Sequence, residues 1–521
     1  MPGTIAVLLF LISDDTSTDR LKQWLRGEAA RLGPGERLPS TRWLIQTRHV
    51  SPITVSRVLS ELGREGIIVT RPGAGTFVAP PRDHRPPAPA DYSWQTVPLA
   101  ERAVDAAGLS PLADPPHTEG VISLATGYLH PSLMPLAMLR SALTRAARLP
   151  DTWDRPPAAG LHALRSWFAQ AAGPQIDARD VLVTSGGQSA LSAAFRALLP
   201  AGAPLLVESP TYPGALAAAR AAGLRPVPVP TDRDGIIPGH LAEVFARTGA
   251  QVLLCQPACH NPTGAALAQG RRAEVLSLAA AAGAFVIEDD FARWLSHTGR
   301  PPAPLLDDDR DGRVIYITSL TKAASPSLRV GAVIARGPIA GRLRTLRAVD
   351  DMFVSRPLQE AALELVSQPG WERHLRALSR ALGRRAAVLA HAVQTHLPAL
   401  DVWRPEGGMH LWAGLPRDAD DEQTAVAARR HGVAVMPGRP FFPAEAPGPY
   451  LRLTFSGAAG EADLDTGIRR LAAAAPHLAA PRLAAPRPGT PSNFPIIDGW
   501  PRPRPTGWAA TSPLGGRAGA L

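Results

Sequence analysis

Apolar positions along the chain follow different rhythms in different stretches. Between residues 14 and 80 they recur at helical spacing. Leu21, Trp24 and Leu25 share one face of a helix predicted over Thr18–Arg31, and GPGERLPS (33–40) reads as a turn. Ser40-Thr41-Arg42 then opens a second helix with Ser40 as its candidate N-cap. In RHVSPITVSRVLSELGREGII (48–68), Ser51 caps a third helix with Pro52 at its first position. Val55, Val58, Leu59 and Leu62 form its apolar stripe, which leaves Thr54, Ser56 and Arg57 for the opposite face near the helix start. IIVTRPGAGTFVAP (67–80) reads as a two-stranded hairpin, with Gly73 and Gly75 permitting the tight turn. The pattern predicts a winged helix-turn-helix.

From about 118 to 472 short apolar runs alternate with alanine-rich helices: VLVT at 181–184, LLVE at 205–208, VLLC at 252–255, FVIE at 285–288, VIYIT at 314–318 and GAVIA at 331–335. Runs of that length between helices predict an α/β domain around a buried, largely parallel sheet. Residues 81–117 start proline-rich and lack periodicity, as a linker does. Residues 473–521 are an Ala, Pro, Arg and Gly low-complexity tail expected to be disordered. Residues 1–13 hold an apolar run, Ile5 to Ile12, with no Lys or Arg before it and no small-residue cleavage site after it. It reads as a misplaced start or a partner-packing extension rather than a secretory signal.

Composition narrows the chemistry. At 521 residues the chain has room for two or three domains, and its 45% apolar and 19% charged residues supply an ordinary core. A formal charge of +10 permits a nucleic-acid partner. Two cysteines, Cys255 and Cys259, exclude a disulfide scaffold and a four-cysteine zinc site, and no metal is expected. No apolar run approaches the roughly 18 residues of a membrane span, so a cytoplasmic protein is expected. Lysine occurs only at 22 and 322, and asparagine only at 261 and 493. Nucleotide bias explains the depletion most simply, and a residue type removed elsewhere survives where its chemistry is needed.

In a helix-turn-helix the start of the second helix meets base edges while nearby Arg, Ser and Thr hold phosphates. A small amphipathic domain docked on the larger one is the alternative. The run LPSTRWL…VSPITVSRVLSELGREGIIVTRPGAGTFV resembles the GntR-type winged helix over nearly its whole length, although LIQTRH replaces that family's usual LA-x-x-L segment. The resemblance implies Arg42, Arg48, Ser51, Thr54 and Arg57 at double-stranded DNA, with the Gly73–Gly75 wing beside the backbone.

Five segments of the larger domain carry candidate chemistry. VTSGGQSALSAAF (183–195) is a strand, a glycine turn and a helix start, which suits a phosphate. ESPTYPG (208–214) places Tyr212 after a strand, as a structural or a stacking ring. CHNPTG (259–264) holds Asn261, VIEDDFARW (286–294) ends a strand with acids, and SLTKAASPSLRVG (319–331) holds Lys322 and Arg329. A lone lysine is ordinarily a surface residue. In a chain that otherwise uses arginine, Lys322 can do what arginine cannot, which is to lose a proton and attack an aldehyde. Cys255 and Cys259 read as packing, and DDDR (307–310) as a solvated loop.

Together the segments resemble the class I aminotransferases of fold type I over about 118–472. Thirty-three positions separate Asp289 from Lys322, and seven separate Lys322 from Arg329. The resemblance implies pyridoxal 5′-phosphate, with Lys322 as the Schiff-base lysine and Asp289 keeping the pyridinium protonated. It implies Tyr212 stacking, Asn261 at the ring hydroxyl, and Ser185, Gly186, Gly187, Gln188, Ser319 and Arg329 at the phosphate. Arg452, in YLRLTFS (450–456), would grip a substrate or effector carboxylate. Phe291 stands where the family often places a tyrosine that bonds the ring oxygen.

A GntR-type winged helix joined by a proline-rich linker to such a domain resembles the MocR-type regulators over about 18–472. That resemblance implies a pyridoxal phosphate-dependent transcription regulator sensing an amino compound, or the vitamer, through an aldimine at Lys322. The expected assembly is a head-to-tail homodimer reading two promoter half-sites. Two other readings are an active aminotransferase with a residual DNA module and a structural dimer without cofactor.

Overall fold

Two serines delimit the helices of the N-terminal unit. Ser40 accepts from the Trp43 N–H at 3.2 Å, and Ser51 from the Thr54 N–H at 3.1 Å, each satisfying a donor that the helix leaves free. The helices are α1 (Gly3–Arg31), α2 (Thr41–Arg48) and α3 (Pro52–Arg64), followed by the antiparallel strands β1 (Ile68–Arg71) and β2 (Gly75–Val78). Leu25, Leu44, Val55, Val58, Leu62 and Ile68 are fully buried between them, each contributing about 1.5–3 kcal/mol. Lys22 to Glu61 at 2.7 Å and Arg26 to Glu65 at 2.8 Å tie α1 to α3. The winged helix-turn-helix is as expected.

The computed structural model describes residues 3–80, 91–99, 119–298 and 302–479, as two units spanning 1–103 and 104–521. Among the described residues no helix is long and apolar enough to cross a membrane. α1 begins at Gly3 rather than at Thr18, so residues 3–13 continue that helix; the side chains of residues 3–16, and with them any partner-packing role, lie outside the described residues. Of the expected linker, Ser93–Leu99 forms short helical turns, and 81–90 and 100–117 lie outside the described residues, as does the tail from 480.

The larger unit is built on an eight-stranded sheet. Its strands are β4 (Val181–Thr184), β5 (Pro204–Ser209), β6 (Arg225–Asp232), β7 (Gly235–Ile236), β8 (Val252–Cys255), β9 (Phe285–Asp290), β10 (Val314–Ser319) and β11 (Gly331–Ile334), in the order β4-β11-β10-β9-β8-β5-β6-β7. The block from β6 to β10 is parallel, while β11 and β7 run antiparallel to their neighbours. Period-two alternation feeds two cores. Val181, Val183, Leu206, Val286 and Tyr316 pack on one face, and Leu182, Leu205, Val207, Ile287, Ile315 and Ile317 on the other.

The pattern identified six of the eight strands. It passed over β6 because Pro226, Pro228 and Pro230 argue against a strand. Pro230 O accepts from the Ile237 N–H, on the side away from β5, so the three prolines turn their donor-less nitrogens to the outer side of β6 and leave its ladder with β5 intact.

A smaller antiparallel sheet, β12 (Asp401–Val402), β13 (His410–Gly414), β16 (Tyr450–Thr454) and β15 (Met436–Pro437), packs its own core with helices Pro369–His396 and Glu461–Ala474, while β3 (Ile122–Ser123) pairs in parallel with β14 (Val433–Ala434). That last helix passes the expected boundary at 472, and Leu478 beyond it is fully buried, so the fold extends to 479.

Candidate functional site

The C-terminal ends of the parallel strands bring the chemistry together. Alternation along β9 sends Asp289 to the face of Ile287, and Glu288 and Asp290 to the other. Only Asp289 belongs to the site. Glu288 accepts from the N–H groups of Leu305 and Leu306, and Asp290 accepts from the Tyr316 hydroxyl at 2.7 Å. Asp289 is 5% exposed and accepts from Gln256 Nε2 at 2.7 Å; burial pushes its carboxyl up to about 6.

Lys322 follows β10. Its Nζ donates to Gly127 O at 2.7 Å and lies 4.1 Å from the centre of the Tyr128 ring. Burial first, then the charges of Arg452 and Arg329, lower its amine to about 7, against the opposing pull of Asp289. Arg452, 2% exposed, donates to Asn261 Oδ1 at 3.1 Å and to Ala125 O at 2.6 Å, and burial lowers it to about 10. In the small sheet it stands between Trp412 and Met436, with its guanidinium 5.1 Å from the Phe441 ring centre.

The phosphate-like turn is formed by Ser185 and Gly186 ahead of the helix Gly187–Leu198. Gly186 has φ +92, and a Cβ there would stand 2.9 Å from the Arg329 guanidinium. Arg329, at φ +51, donates to Ser185 O. Gly331 brings the turn close to Ser319, because a Cβ at 331 would lie 2.9 Å from Ser319 Cβ and 3.1 Å from Gly186 Cα. The N–H groups of the first helical turn remain for an anion.

The side chains of two residues expected at the cofactor have partners of their own. The Gln188 side-chain amide donates to Gly214 O at 2.7 Å, and its main chain lies in the first turn of the helix. Phe291 packs against the core of the smaller lobe and brings no hydroxyl. Tyr212 lies over Gly214, where a Cβ would meet the ring at 2.3 Å, and its burial pushes the phenol up.

Sequence reasoning missed Gln256, Tyr128 and Arg347. Gln256 carried the signal that flagged Asp289, since it follows directly on a parallel strand. Tyr128 is one of five tyrosines, a scarcity as informative as that of lysine. Arg347, which donates to the Ser185 and Ser189 hydroxyls at 3.3 Å, is one arginine among 53 and had no signal.

In the N-terminal unit Arg42, Arg48, Ser51 and Arg57 are exposed, as are Ile53, Ser56 and Ser60. Thr54 is not: it is 3% exposed, because its hydroxyl turns back to the capping Ser51 Oγ at 2.8 Å. It belongs to the helix cap and not to an outward face. Arg48 lies 3.9 Å over the Trp24 ring, which itself stacks on Trp43. Gly73 and Gly75 both take positive φ in the wing, and Arg37 fills the space where a Gly75 Cβ would stand.

Residues 120–471 match the family model of aminotransferase class I and II. The chain belongs to the class I and II aminotransferase family. Residues 16–78 match the gntR family of bacterial regulatory proteins, so this aminotransferase-family chain carries a DNA-binding unit. It is 27% identical over 439 residues to the probable rhizopine catabolism regulatory protein MocR of Rhizobium meliloti, covering 81% of this chain and 87% of that one. It is 31% identical to the 2-aminoadipate transaminase of Thermus thermophilus, covering 68% and 89%. The crystal structure of LysN, the alpha-aminoadipate aminotransferase of that organism complexed with N-(5′-phosphopyridoxyl)-L-leucine, superposes with a TM-score of 0.69 at 28% identity, covering 75% of this chain and all but 1% of the other.

The cofactor of this family is pyridoxal 5′-phosphate, and the residues present fit it. Lys322, Arg329 and Arg452 bond only to neutral oxygens, those of Gly127, Ser185, Ala125 and Asn261, and among the described residues none of the three is ion-paired. With no counter-ion among the described residues, Arg452, Arg329 and a protonated Lys322 suit an anionic ligand, and Arg329 stands beside the glycine turn.

Proposed function

We propose that the chain is a transcription regulator whose aminotransferase-like unit holds pyridoxal phosphate at Lys322 and responds to a small amino compound, while its gntR-type unit binds promoter DNA. The observation that carries the effector reading is Arg452, a buried guanidinium whose Nε has no hydrogen-bond partner among the described residues. Among the described residues its bonds are to an amide and a carbonyl, so an entering carboxylate would supply a charge-assisted fork.

Pyridoxal phosphate, when bound, supplies an aldehyde that condenses with primary amines and a ring that accepts electrons. Lys322, with its amine held near 7, is free to lose its proton at neutral pH. Asp289 would stand at the ring nitrogen and hold a proton there. Ser185, Ser319, Arg329 and the main chain of Gly186, Gly187 and Gln188 hold the phosphate, and Tyr212 covers the ring. Asn261 carries the ring hydroxyl and the Arg452 guanidinium together. A head-to-tail homodimer in the cytoplasm, presenting two gntR-type units to two half-sites on double-stranded DNA, completes the proposal.

The lysine, acid and arginine also support a second reading, amino transfer in its own right. A promoter titration with and without amino acids, on wild type and Arg452→Ala, tests the first. The effector should shift promoter occupancy in the wild type only, with cofactor colour and basal binding kept in the variant. An unchanged response in Arg452→Ala would refute a carboxylate-bearing effector at this site. Repeated release of a 2-oxo acid from the added amino acid, many equivalents per protein, would favour the enzyme.

A further inference from the structure

Gln256 stands directly behind the acid of the site. It is the first residue beyond β8, 3% exposed, with β9 on one side and β5 on the other. Its Nε2 donates to Asp289 Oδ2 at 2.7 Å, and its Oε1 accepts from the Asn261 N–H at 3.0 Å. Its own N–H donates to Glu208 Oε2 at 2.7 Å, anchoring the residue from the β5 side.

These bonds settle which way the amide points. Turned over, Nε2 would meet the Asn261 N–H and Oε1 would meet the Asp289 carboxylate, two donors together and two acceptors together. A main-chain N–H cannot change roles. The Asn261 N–H therefore locks the amide so that it always offers a donor to Asp289, whatever the protonation of that acid. A fixed donor at bonding distance favours the ionised form and fixes the rotation of the carboxylate.

We propose that Gln256 is a positioning residue that keeps Asp289 ionised and aimed, so that the acid can hold a proton on the cofactor's ring nitrogen. The proposal rests on the reading of Asp289 as the residue facing that nitrogen. The charged and titratable groups around Asp289 pull both ways. Lys322 favours the carboxylate, whereas Asp290 beside it and Glu208 from β5 oppose it. Tyr212 and Cys255, both held above their ordinary values by burial, stay neutral near pH 7. Against the burial that pushes Asp289 up to about 6, the Gln256 bond is the strongest influence in the other direction. The amide thus favours the charged form of Asp289 against the burial that opposes it.

The test is the infrared carboxylic-acid band of Asp289, isolated as the difference between each protein and its Asp289→Asn counterpart and followed against pH without cofactor. Gln256→Glu keeps the size of the side chain and can still accept from the Asn261 N–H, but no longer offers an amide donor. Gln256→Leu removes both roles. In either variant, with near-ultraviolet circular dichroism confirming the fold, the Asp289 midpoint should rise by at least about one pH unit, a tenfold weaker acid. In the loaded protein, the pH midpoint of the bound cofactor's absorbance should move in the same variants. In the wild type, one glutamine side-chain amide resonance should titrate with the Asp289 midpoint and stop titrating in Asp289→Asn. This measurement decides the matter if neither variant folds. A midpoint unmoved in a folded variant, or no titrating amide in the wild type, overturns the proposal. If the wild type takes up no cofactor, the reading of the site fails, while the infrared midpoint still judges Gln256.

Discussion

The two lysines of this chain should differ in reactivity by their surroundings alone, and the difference can be worked out. Lys322 is lowered to about 7 by burial and by Arg452 and Arg329. Lys22 is raised above its ordinary 10.5 by hydrogen bonds to Glu61 and Glu65 at 2.7 and 2.9 Å. At pH 7.5 about three-quarters of Lys322 is then free amine, against less than about 0.1% of Lys22. A less basic amine attacks more slowly once free, and a Brønsted slope of ~0.4–0.5 still leaves a preference on the order of tenfold. The assay is trace reductive labelling of the cofactor-free protein with a small aldehyde and borohydride, followed by peptide mapping across pH 5–11, with the α-amino group scored separately. The Lys322 label should rise with a midpoint near 7, and Asp289→Asn should move that midpoint down, because the lost carboxylate favoured the ammonium. Arg452→Met should move it up, because a like charge is gone. Equal labelling of both lysines at pH 7.5, or a Lys322 midpoint above about 9, would refute the reasoning.

Two further outcomes are expected. A lysine whose folded value lies below its unfolded one costs stability wherever both states are protonated, so Lys322→Met should stabilise the cofactor-free protein below pH 7 by up to roughly 5 kcal/mol, an advantage that fades as pH rises from 7 toward 10.5; urea unfolding at each pH measures it. On promoter DNA, Arg42→Ala and Arg57→Ala should each weaken binding and lower the salt slope by about 1 if they contact phosphate, whereas Thr54→Val should act on the stability of the N-terminal unit, by about 1 kcal/mol, through the Ser51 cap.

The six strands read from the sequence were legible because a strand buried on both faces spells out a continuous apolar run, as VIYIT does in β10. β6 was not, because its three prolines point to the side where no ladder bond is required, and that side is visible only after the sheet is assembled. Thr54 misled for a local reason. Helical periodicity separates faces, but a threonine three residues after a capping serine bonds back to it and leaves its expected face.

At the site, scarcity was a better guide than pattern. Lys322 and Asn261 stood out because each is one of only two residues of its type, and because arginine cannot become a neutral amine. Scarcity says nothing about residues whose type is common, and so it overlooked Arg347. It also overlooked Gln256, whose importance lies in a direction, donor to Asp289 and acceptor from Asn261, that no single position encodes. The same geometry bears on Phe291. The family's tyrosine bonds the ring oxygen from the β9 side, and this chain has a phenyl ring packed into the smaller lobe instead. On the proposed reading the ring oxygen would be left to Asn261, which Arg452 also holds from β16. On that reading, an effector carboxylate drawing Arg452 away from Asn261 would act on the hydrogen bond that positions the cofactor. In a site with a second partner for that oxygen the same displacement would matter less, so a phenyl ring at 291 would favour the proposed response to a ligand.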